Sequence, residues 1–325
     1  MAAPFVIGID GGGTWSRAVA LSVEGEPFGE ADGGPLNFNT TSPEIFRESL
    51  GNILQQFADV HGLSLPAEQT VIGTASLFTS LDSCETASVC GAQVSADRLT
   101  IVGDVVTALY GASFGTPGLL VVSGTGSIAA AVDDDGQCYT TGGLGPAIGG
   151  DPGSARWIAN EVLLHASTES CNGAESTNLT NFICRYFGVS EFQQWVPQVY
   201  SGADSAKRLA GLSHAMAESE LNGQPFWLGI LRRAGVCLAE LCVPLLSKLD
   251  SANWPAVVHV SGSVLTNSEP VRTSFAAEIK TKAKREVAVE SPILPAAEGA
   301  ALMALKGMAP AKVAEAAGRL AKREA

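Results

Sequence analysis

The feature that most constrains the fold is a strand that runs directly into a glycine-rich turn near the start of the chain. Residues Phe5–Ile9 are apolar and mostly β-branched, which is typical of a strand buried on both faces. The strand is followed by Asp10, Gly11, Gly12, Gly13 and Thr14. Glycines without a Cβ let backbone N–H groups approach a phosphate, and a hydroxyl adds a donor. A carboxylate beside phosphates needs a cation between them, so this turn predicts a nucleotide site in which Asp10 holds Mg²⁺.

The residues around this turn argue against two common phosphate loops. No GxxxxGK[ST] sequence is present, and the turn leads into a predicted strand at Arg17–Val23 instead of opening a helix. Glu24 and Gly25 then turn the chain into a third strand at about Pro27–Ala31. The predicted phosphate therefore lies on a β-hairpin turn. Taken alone, the motif also fits an ordinary glycine-rich hairpin.

The same pattern recurs further along the chain. Residues 118–132 read as an apolar strand, a turn and a second apolar strand, followed by a short strand at Gln137–Thr141. The turn consists of Gly124, Thr125, Gly126 and Ser127. A third glycine turn, with Gly262 and Ser263, follows the strand Ala256–Val260. Two similar units predict a duplicated fold in which each half offers one turn to the same polyphosphate.

These motifs resemble those of the sugar kinase, Hsp70 and actin superfamily, and within it the N-acetylglucosamine kinase branch that is grouped with the BadF/BcrA-type ATPases. Asp10–Thr14 and Ser123–Ser127 resemble the two phosphate motifs, Ser261–Val264 the adenosine motif, and Ala296–Ala301 the closing segment. The resemblance covers nearly the whole chain. It implies a two-domain α/β fold of the actin-like ATPase (ribonuclease H-like) type, with ATP and Mg²⁺ in an interdomain cleft. We expect the domains to span residues 1–115 and 116–325.

Composition is consistent with an enzyme of this kind. The chain has 325 residues, of which 46% are hydrophobic, and this is enough for two domains with their own cores. Its net charge of −13 argues against nucleic acid or an anionic membrane as a partner. The seven cysteines include no CxxC pair, and the N-terminus has no secretion signal, so we expect free thiols in the cytoplasm. A homodimer is common among members of the family, although the sequence does not show the oligomeric state.

Asp104 is the predicted catalytic base. It follows the apolar strand Leu99–Gly103, and α/β sheets bind ligands at the carboxyl ends of their strands. Phosphorylation of a hydroxyl needs a carboxylate that accepts the proton of the nucleophile, and the family places its base aspartate at this point. The alternative is that Asp104 only caps the helix predicted at Val105–Ala112.

The sugar is expected to bind through loops that resemble those of the family. Asn37, in Gly33–Asn37, offers a donor and an acceptor to adjacent hydroxyls. Gly143 and Asp151 belong to a segment that departs from the family pattern Gly-Gly-Trp-Gly, three residues, Gly-Asp-Glu-Gly-Ser. Leu144 replaces the tryptophan, Pro152 replaces the glutamate, and the segment is one residue longer. Asp151 matches either the family aspartate that holds sugar hydroxyls, which we favour, or the neighbouring glutamate.

The resemblance implies phosphorylation of an amino sugar, with N-acetylglucosamine and its 6-hydroxyl as the first choice. The missing tryptophan leaves glucosamine or another hexose open. An ATPase that does not phosphorylate a sugar, and a sugar-sensing regulator, are further alternatives. The cluster-binding cysteines of the iron–sulfur dehydratase activators were not found in the sequence, and no helix-turn-helix precedes the first strand, so both are less favoured.

Apolar periodicity also predicts several helices outside these motifs. Ser42 and Pro43 begin a helix whose apolar face carries Phe46, Leu50, Ile53, Leu54 and Phe57. Further helices are expected from Ser154 to about Leu164, around residues 231–245 with a kink at Pro244, and at Ala311–Ala325. A strand is expected at Thr70–Ala75.

Overall fold

The computed structural model describes residues 3–37, 40–75, 77, 95–145, 147–171, 177–200, 205–249, 254 and 256–324. Its first half contains a five-stranded mixed sheet. The strands are β1 (Phe5–Gly11), β2 (Ser16–Ser22), β3 (Pro27–Gly33), β4 (Gln69–Thr74) and β5 (Leu99–Gly103), in the order β3-β2-β1-β4-β5. Strands β1, β2 and β3 form an antiparallel meander, and β4 and β5 run parallel to β1. The strands predicted from the sequence in this half are confirmed.

The second sheet repeats this topology. Its strands are β6 (Gly118–Ser123), β7 (Ser127–Val132), β8 (Cys138–Gly142), β9 (Val257–Ser261) and β10 (Ala288–Glu290), in the order β10-β9-β6-β7-β8. Strands β6, β7 and β8 again form an antiparallel meander, with β9 and β10 parallel to β6. The prediction of a duplicated fold is confirmed, because each half has three antiparallel strands followed by two parallel ones.

Helices cover both sheets. In the described residues they are α1 (Pro43–His61), α2 (Asp104–Ser113), α3 (Ala155–Cys171), α4 (Asn178–Phe187), α5 (Val196–Tyr200), α6 (Ser205–Ala217), α7 (Pro225–Leu246), α8 (Ser263–Asn267), α9 (Glu269–Ala283), α10 (Ala296–Met308) and α11 (Val313–Glu324). Short 3₁₀ turns occur at Ala96–Arg98, Phe192–Trp195 and Pro310–Lys312. Helix α3 extends seven residues beyond the predicted end at Leu164. No helix in this part of the chain is both long and apolar enough to cross a membrane.

Helix α1 begins and packs as its sequence predicts. The Ser42 hydroxyl accepts a hydrogen bond from the Ile45 N–H at 3.4 Å, and Gly62, in a left-handed conformation, ends the helix. The five predicted face residues are all buried in one cluster with β1, β4 and β5. The described cysteines are free thiols, as expected (Cys138, Cys171, Cys184, Cys237 and Cys242), whereas Cys84 and Cys90 lie outside the described residues.

Helix α2 lies between the two sheets, and helix α10 packs on the first sheet and on α2. Helix α2 packs against β6 and β7 through a cluster that contains Val105, Leu109, Leu120 and Ala130. Helix α10, near the end of the chain, packs against β1, β4 and α2. A Cβ on Gly8 of β1 would lie 2.0 Å from the Ala301 nitrogen of α10, so this close approach requires glycine. The apolar side of α11 is buried against the same sheet, so the end of the chain packs on the first half. The domain division at residues 115 and 116 stays a prediction.

Candidate active site

The first glycine turn joins β1 to β2 as a tight hairpin. Gly11 pairs with Ser16, so the turn lies between these two residues and contains Gly12, Gly13 and Thr14. The Leu36 N–H donates to the Gly12 carbonyl at 3.0 Å, which holds the segment after β3 against the turn. A Cβ on Gly12 would lie 2.3 Å from the carbonyl oxygen of Trp15, so the turn closes only around a glycine there.

Two partly buried carboxylates lie at the carboxyl edge of the first sheet. Asp10 is near the end of β1, and Asp104 follows β5 as the first residue of α2. Burial and the nearby charge of Asp104 raise the pKa of Asp10 to about 6, while Arg17 lowers it. Burial also raises the pKa of Asp104, although the Val105 N–H donates to its Oδ1 at 2.8 Å. Two partly buried carboxylates that repel each other favour a proton or a cation between them.

Asp104 is not the N-cap of α2, which is Gly103. Its hydrogen bond to the Val105 N–H is a contact of the first helical turn, so a partial capping role is present. The rest of α2 is largely buried and fixes the position of the carboxylate.

Asn37 lies on the same edge of the sheet, after β3. It is buried, and its Nδ2 atom is 3.9 Å from the position of a Cβ on Gly13. The Thr74 hydroxyl, at the end of β4, donates to the carbonyl of Leu36 at 2.9 Å and so holds this segment across the strand ends. The structure thus brings Asn37 next to the first glycine turn.

The second glycine turn is built in the same way. Ser123 pairs with Ser127, so Gly124, Thr125 and Gly126 form the turn between β6 and β7. Several hydrogen bonds fix the segment after β8 to this turn. Ser123 Oγ donates to the Gly153 carbonyl at 2.9 Å, Ser127 Oγ to the Pro152 carbonyl at 2.8 Å, and the Ala155 N–H to the Gly124 carbonyl at 2.8 Å.

The third glycine motif lies directly beside the second turn. Strands β6 and β9 are parallel neighbours, so Ser261 lies next to the end of β6. Gly262 has a φ of 87°, and a Cβ there would be 2.3 Å from the Ser123 carbonyl oxygen. Both the positive φ and the lack of space require glycine. Ser263 then begins α8.

A cavity of about 650 Å³ connects the second and third motifs. Its wall includes Thr125 of the turn and Ser263 of α8, together with apolar residues of α3 and α7. Its polar lining residues are Lys207, Ser213, His214, Asn222, Asn267, Ser268 and Glu269. The volume is in the range of small-molecule sites, and the position beside two phosphate-type turns suits a nucleoside. Sequence reasoning missed these residues because they come from α6, the α6–α7 connection and the α8–α9 region, which carry no motif.

Asp151 is buried beside the second turn and is already bonded to protein groups. Its Oδ1 accepts a hydrogen bond from the Gly145 N–H at 3.1 Å, and its Oδ2 pairs with the guanidinium of Arg156. Gly143 pairs with the turn through a hydrogen bond from its N–H to the Ser127 carbonyl at 2.8 Å. Leu144 is exposed at the surface of this segment. No motif in the sequence indicates that Arg156 pairs with Asp151.

The described residues contain no group of three or more His, Cys, Asp or Glu side chains that could hold a metal. Mg²⁺ in phosphoryl-transfer sites is commonly bound by one or two carboxylates plus substrate phosphates. The partly buried, mutually repelling Asp10 and Asp104 beside a glycine turn fit such an ion.

Comparison with known proteins places this geometry in a family. A sequence profile of the BadF/BadG/BcrA/BcrD ATPase family matches residues 7–304. The chain is 25% identical over 264 residues to an N-acetylmuramic acid/N-acetylglucosamine kinase from Clostridium acetobutylicum, covering 81% of this chain and 86% of the relative. It is 22% identical over 277 residues to an N-acetyl-D-glucosamine kinase from Dictyostelium discoideum, again covering 81% and 86%.

Solved structures show the same fold. A protein from Chromobacterium violaceum, provisionally named an N-acetylglucosamine kinase, superposes with a TM-score of 0.69 and 22% identity, covering 93% of this chain and 99% of that one. A ROK family glucokinase from Streptomyces griseus, solved with glucose and AMPPNP, has a TM-score of 0.53 and 16% identity, covering 94% and 99%. The predicted actin-like ATPase fold class is confirmed.

Proposed function

Because the chain belongs to the BadF/BadG/BcrA/BcrD ATPase family, we propose that it is an ATP-dependent kinase that phosphorylates the 6-hydroxyl of an amino sugar, with N-acetylglucosamine as the first candidate. The observation that carries this proposal is the pair of partly buried carboxylates, Asp10 and Asp104, at one sheet edge beside a glycine turn. The names of the two curated relatives support the choice of sugar.

The two hairpin turns are proposed to bind the polyphosphate. Gly11, Gly12, Gly13 and Thr14 offer donors from the first half, and the second turn offers Gly124, Thr125, Gly126 and Ser127. The Ser127 hydroxyl donates to a carbonyl, so its backbone N–H is the donor that it offers to a phosphate. Gly262 and Ser263 adjoin the cavity that we assign to the nucleoside.

Asp10 is the residue proposed to hold Mg²⁺. A bound Mg²⁺ would neutralise charge on the phosphates and favour the ionised form of this carboxylate. Arg17 already lowers the pKa of Asp10, but burial outweighs this effect. The carboxylate therefore suits a cation that arrives with the nucleotide.

Asp104 is proposed to accept the proton of the sugar hydroxyl as the hydroxyl oxygen attacks the γ-phosphorus, while the bond from that phosphorus to the β–γ bridging oxygen breaks and ADP leaves. Burial raises the pKa of this carboxyl, which makes it a stronger base than an ordinary aspartate. Its attachment to the first turn of α2 restricts its orientation, and restricted orientation lowers the entropic cost of the reaction.

Asn37, Gly143 and Asp151 are proposed to bind the sugar. The amide of Asn37 can donate to one hydroxyl and accept from another. Asp151 holds two protein contacts, and a carboxylate has about four lone-pair sites, which leaves acceptor capacity for hydroxyls. The two proposed domains, residues 1–115 and 116–325, would close on the sugar and exclude water from the transferring phosphoryl group.

The setting of the reaction is also a proposal. The need for ATP favours a cytoplasmic location, and the net charge of −13 argues against nucleic acid as a partner. A homodimer remains a proposal that measurement of the mass in solution can decide.

The test is an assay of ADP release with Mg-ATP and N-acetylglucosamine, glucosamine, glucose, N-acetylmannosamine or no sugar. ADP release that requires one amino sugar, together with detection of its 6-phosphate, would support the kinase. Equal ADP release with and without sugar would replace the proposal with an ATPase. ADP release with glucose alone would retain the kinase chemistry and correct the substrate.

A further inference from the structure

Arg156 and Asp151 form a buried ion pair beneath the second glycine turn. Both residues are at least nine-tenths buried, and Nη2 of Arg156 donates to Oδ2 of Asp151. Among the described residues, Asp151 is the only carboxylate in salt-bridge contact with Arg156, and the buried Nε of Arg156 has no hydrogen-bond partner there. A guanidinium in this position is costly to desolvate, and one ion pair offsets that cost only in part.

The carboxylate of Asp151 forms the support of the turn. A Cβ on Gly126 would lie 2.8 Å from Oδ2, so this oxygen packs directly against the backbone of Gly126. Oδ1 accepts a hydrogen bond from the Gly145 N–H. One side chain thus fixes the phosphate turn and the glycine-rich segment after β8 at the same time.

The backbone conformation of Asp151 also requires stabilisation by the contacts of its side chain. Its φ is 45°, in the left-handed region, where an aspartate is less favourable than a glycine. Arg156 is the second residue of α3, and Ala155 and Ile158 of the same helix line the proposed nucleoside cavity. The ion pair therefore links the helix that lines this cavity, the phosphate turn and the segment that carries Gly143.

We infer that Arg156 is a positioning residue for phosphoryl transfer, which acts by holding the Asp151 carboxylate against Gly126. The predicted effect of Arg156 on turnover rests on the proposed function, whereas its predicted effect on the structure of the glycine turn does not. Buried ion pairs contribute little net stability compared with apolar residues of the same size. The contacts of this pair with the glycine turn explain the presence of a buried charge here better than a gain in stability does.

The test compares Arg156→Met, which keeps side-chain bulk without the charge, with Arg156→Lys and with Arg233→Met as the matched control. Arg233 also pairs with α3, through Glu161, but it is more than half exposed and lies outside the proposed site. The first readout is hydrogen exchange of the amides of residues 124–127, which needs no substrate. The second is kcat and KM for ATP and for the sugar.

For Arg156→Met we expect faster exchange at residues 124–127 and a fall in kcat of about 10²-fold, with a smaller change in KM for ATP. Arg156→Lys should restore part of the exchange protection and part of kcat, because it restores the charge without the planar guanidinium. Arg233→Met should leave both readouts unchanged. Unchanged exchange in Arg156→Met, or equal effects in Arg156→Met and Arg233→Met, would overturn the inference.

A double variant, Asp151→Leu with Arg156→Met, guards against misfolding from an unpaired buried charge, because it removes both charges. Faster exchange at the turn in this variant supports the inference, whereas exchange at the wild-type rate overturns it. If the wild-type protein phosphorylates no sugar, the proposed function fails, but hydrogen exchange still decides the role of Arg156.

Discussion

The Arg17 guanidinium and the Glu298 carboxylate, from opposite ends of the chain, form an ion pair of 2.9 Å. Arg17 lies on β2 opposite Asp10 in the strand register, and Glu298 lies in the first turn of α10. The Glu298 side chain is 3% exposed and that of Arg17 is 24% exposed, so water screens the pair only weakly. The pair thus fastens α10 to the hairpin that carries the first phosphate turn.

Loss of this ion pair should destabilise the protein. Arg17→Met would leave the Glu298 carboxylate buried without this cation, and breaking a buried pair in this way costs about 3–5 kcal/mol. Urea denaturation would measure the free energy of unfolding. The control is Arg185→Met, which breaks an exposed pair with Glu220 and should cost less than about 1 kcal/mol. Equal losses in the two variants would show that the Arg17–Glu298 pair is not specially stabilising.

Replacement of the proposed base should separate binding from chemistry. Asp104→Asn keeps the shape and the hydrogen bond to the Val105 N–H but cannot accept the sugar proton. We expect nucleotide affinity, measured by calorimetry, to stay near that of the wild type and turnover to fall about 10²–10⁴-fold. Burial raises the pKa of Asp104. As the pH is lowered, wild-type turnover should therefore begin to fall at a pH above the usual pKa range of an aspartate. Near-normal turnover of the variant would remove Asp104 from this role.

The pKa of Asp10 predicts that this carboxylate destabilises the nucleotide-free protein at neutral pH. Its folded pKa of about 6 lies above the ordinary 3.8, so stability present below pH 3.8 is lost as the pH rises through 6. A difference of about two pKa units corresponds to at most about 3 kcal/mol. Asp10→Asn should therefore raise the free energy of unfolding at pH 7.5 but not at low pH, and should weaken binding of Mg-ATP.

The matched control for this prediction is Asp59→Asn, which alters an exposed carboxylate on α1. Thermal unfolding of both variants across pH 4–8 would measure the difference. If Asp10→Asn and Asp59→Asn show the same pH dependence as the wild type, burial of Asp10 does not govern this part of the stability curve.

Gly262→Ala should disrupt the contact between the second and third glycine motifs. The new Cβ would meet the Ser123 carbonyl, and the positive φ of 87° adds strain. We expect a loss of more than about 1 kcal/mol in unfolding free energy and weaker ADP binding. Gly229→Ala, in α7 with nothing within 4 Å of the new Cβ, should be neutral or stabilising. Wild-type ADP affinity in Gly262→Ala would separate this glycine from the nucleotide site.

The local sequence was sufficient to predict most of the strands and helices. The β-branched run before Asp10 and the glycines after it predict a strand and a turn because backbone sterics act over a few residues. The same holds for α1, where Ser42 and Pro43 mark the start and the apolar spacing marks the buried face. The extra length of α3 was missed, because its last turns have mixed polarity and lack a clear apolar face.

The sequence by itself determined the two glycine turns, the repeated meander and the strand-end positions of Asp10 and Asp104, because each depends on neighbours along the chain. Only the tertiary structure decided which distant side chains meet. It paired Arg17 with Glu298 and formed a cavity from Thr125, Ser263 and residues of α6 and α9. It also placed Arg156 under Gly126 through Asp151. These contacts follow from the packing of helices against sheets, and the pattern of a single segment does not specify its partner across the core.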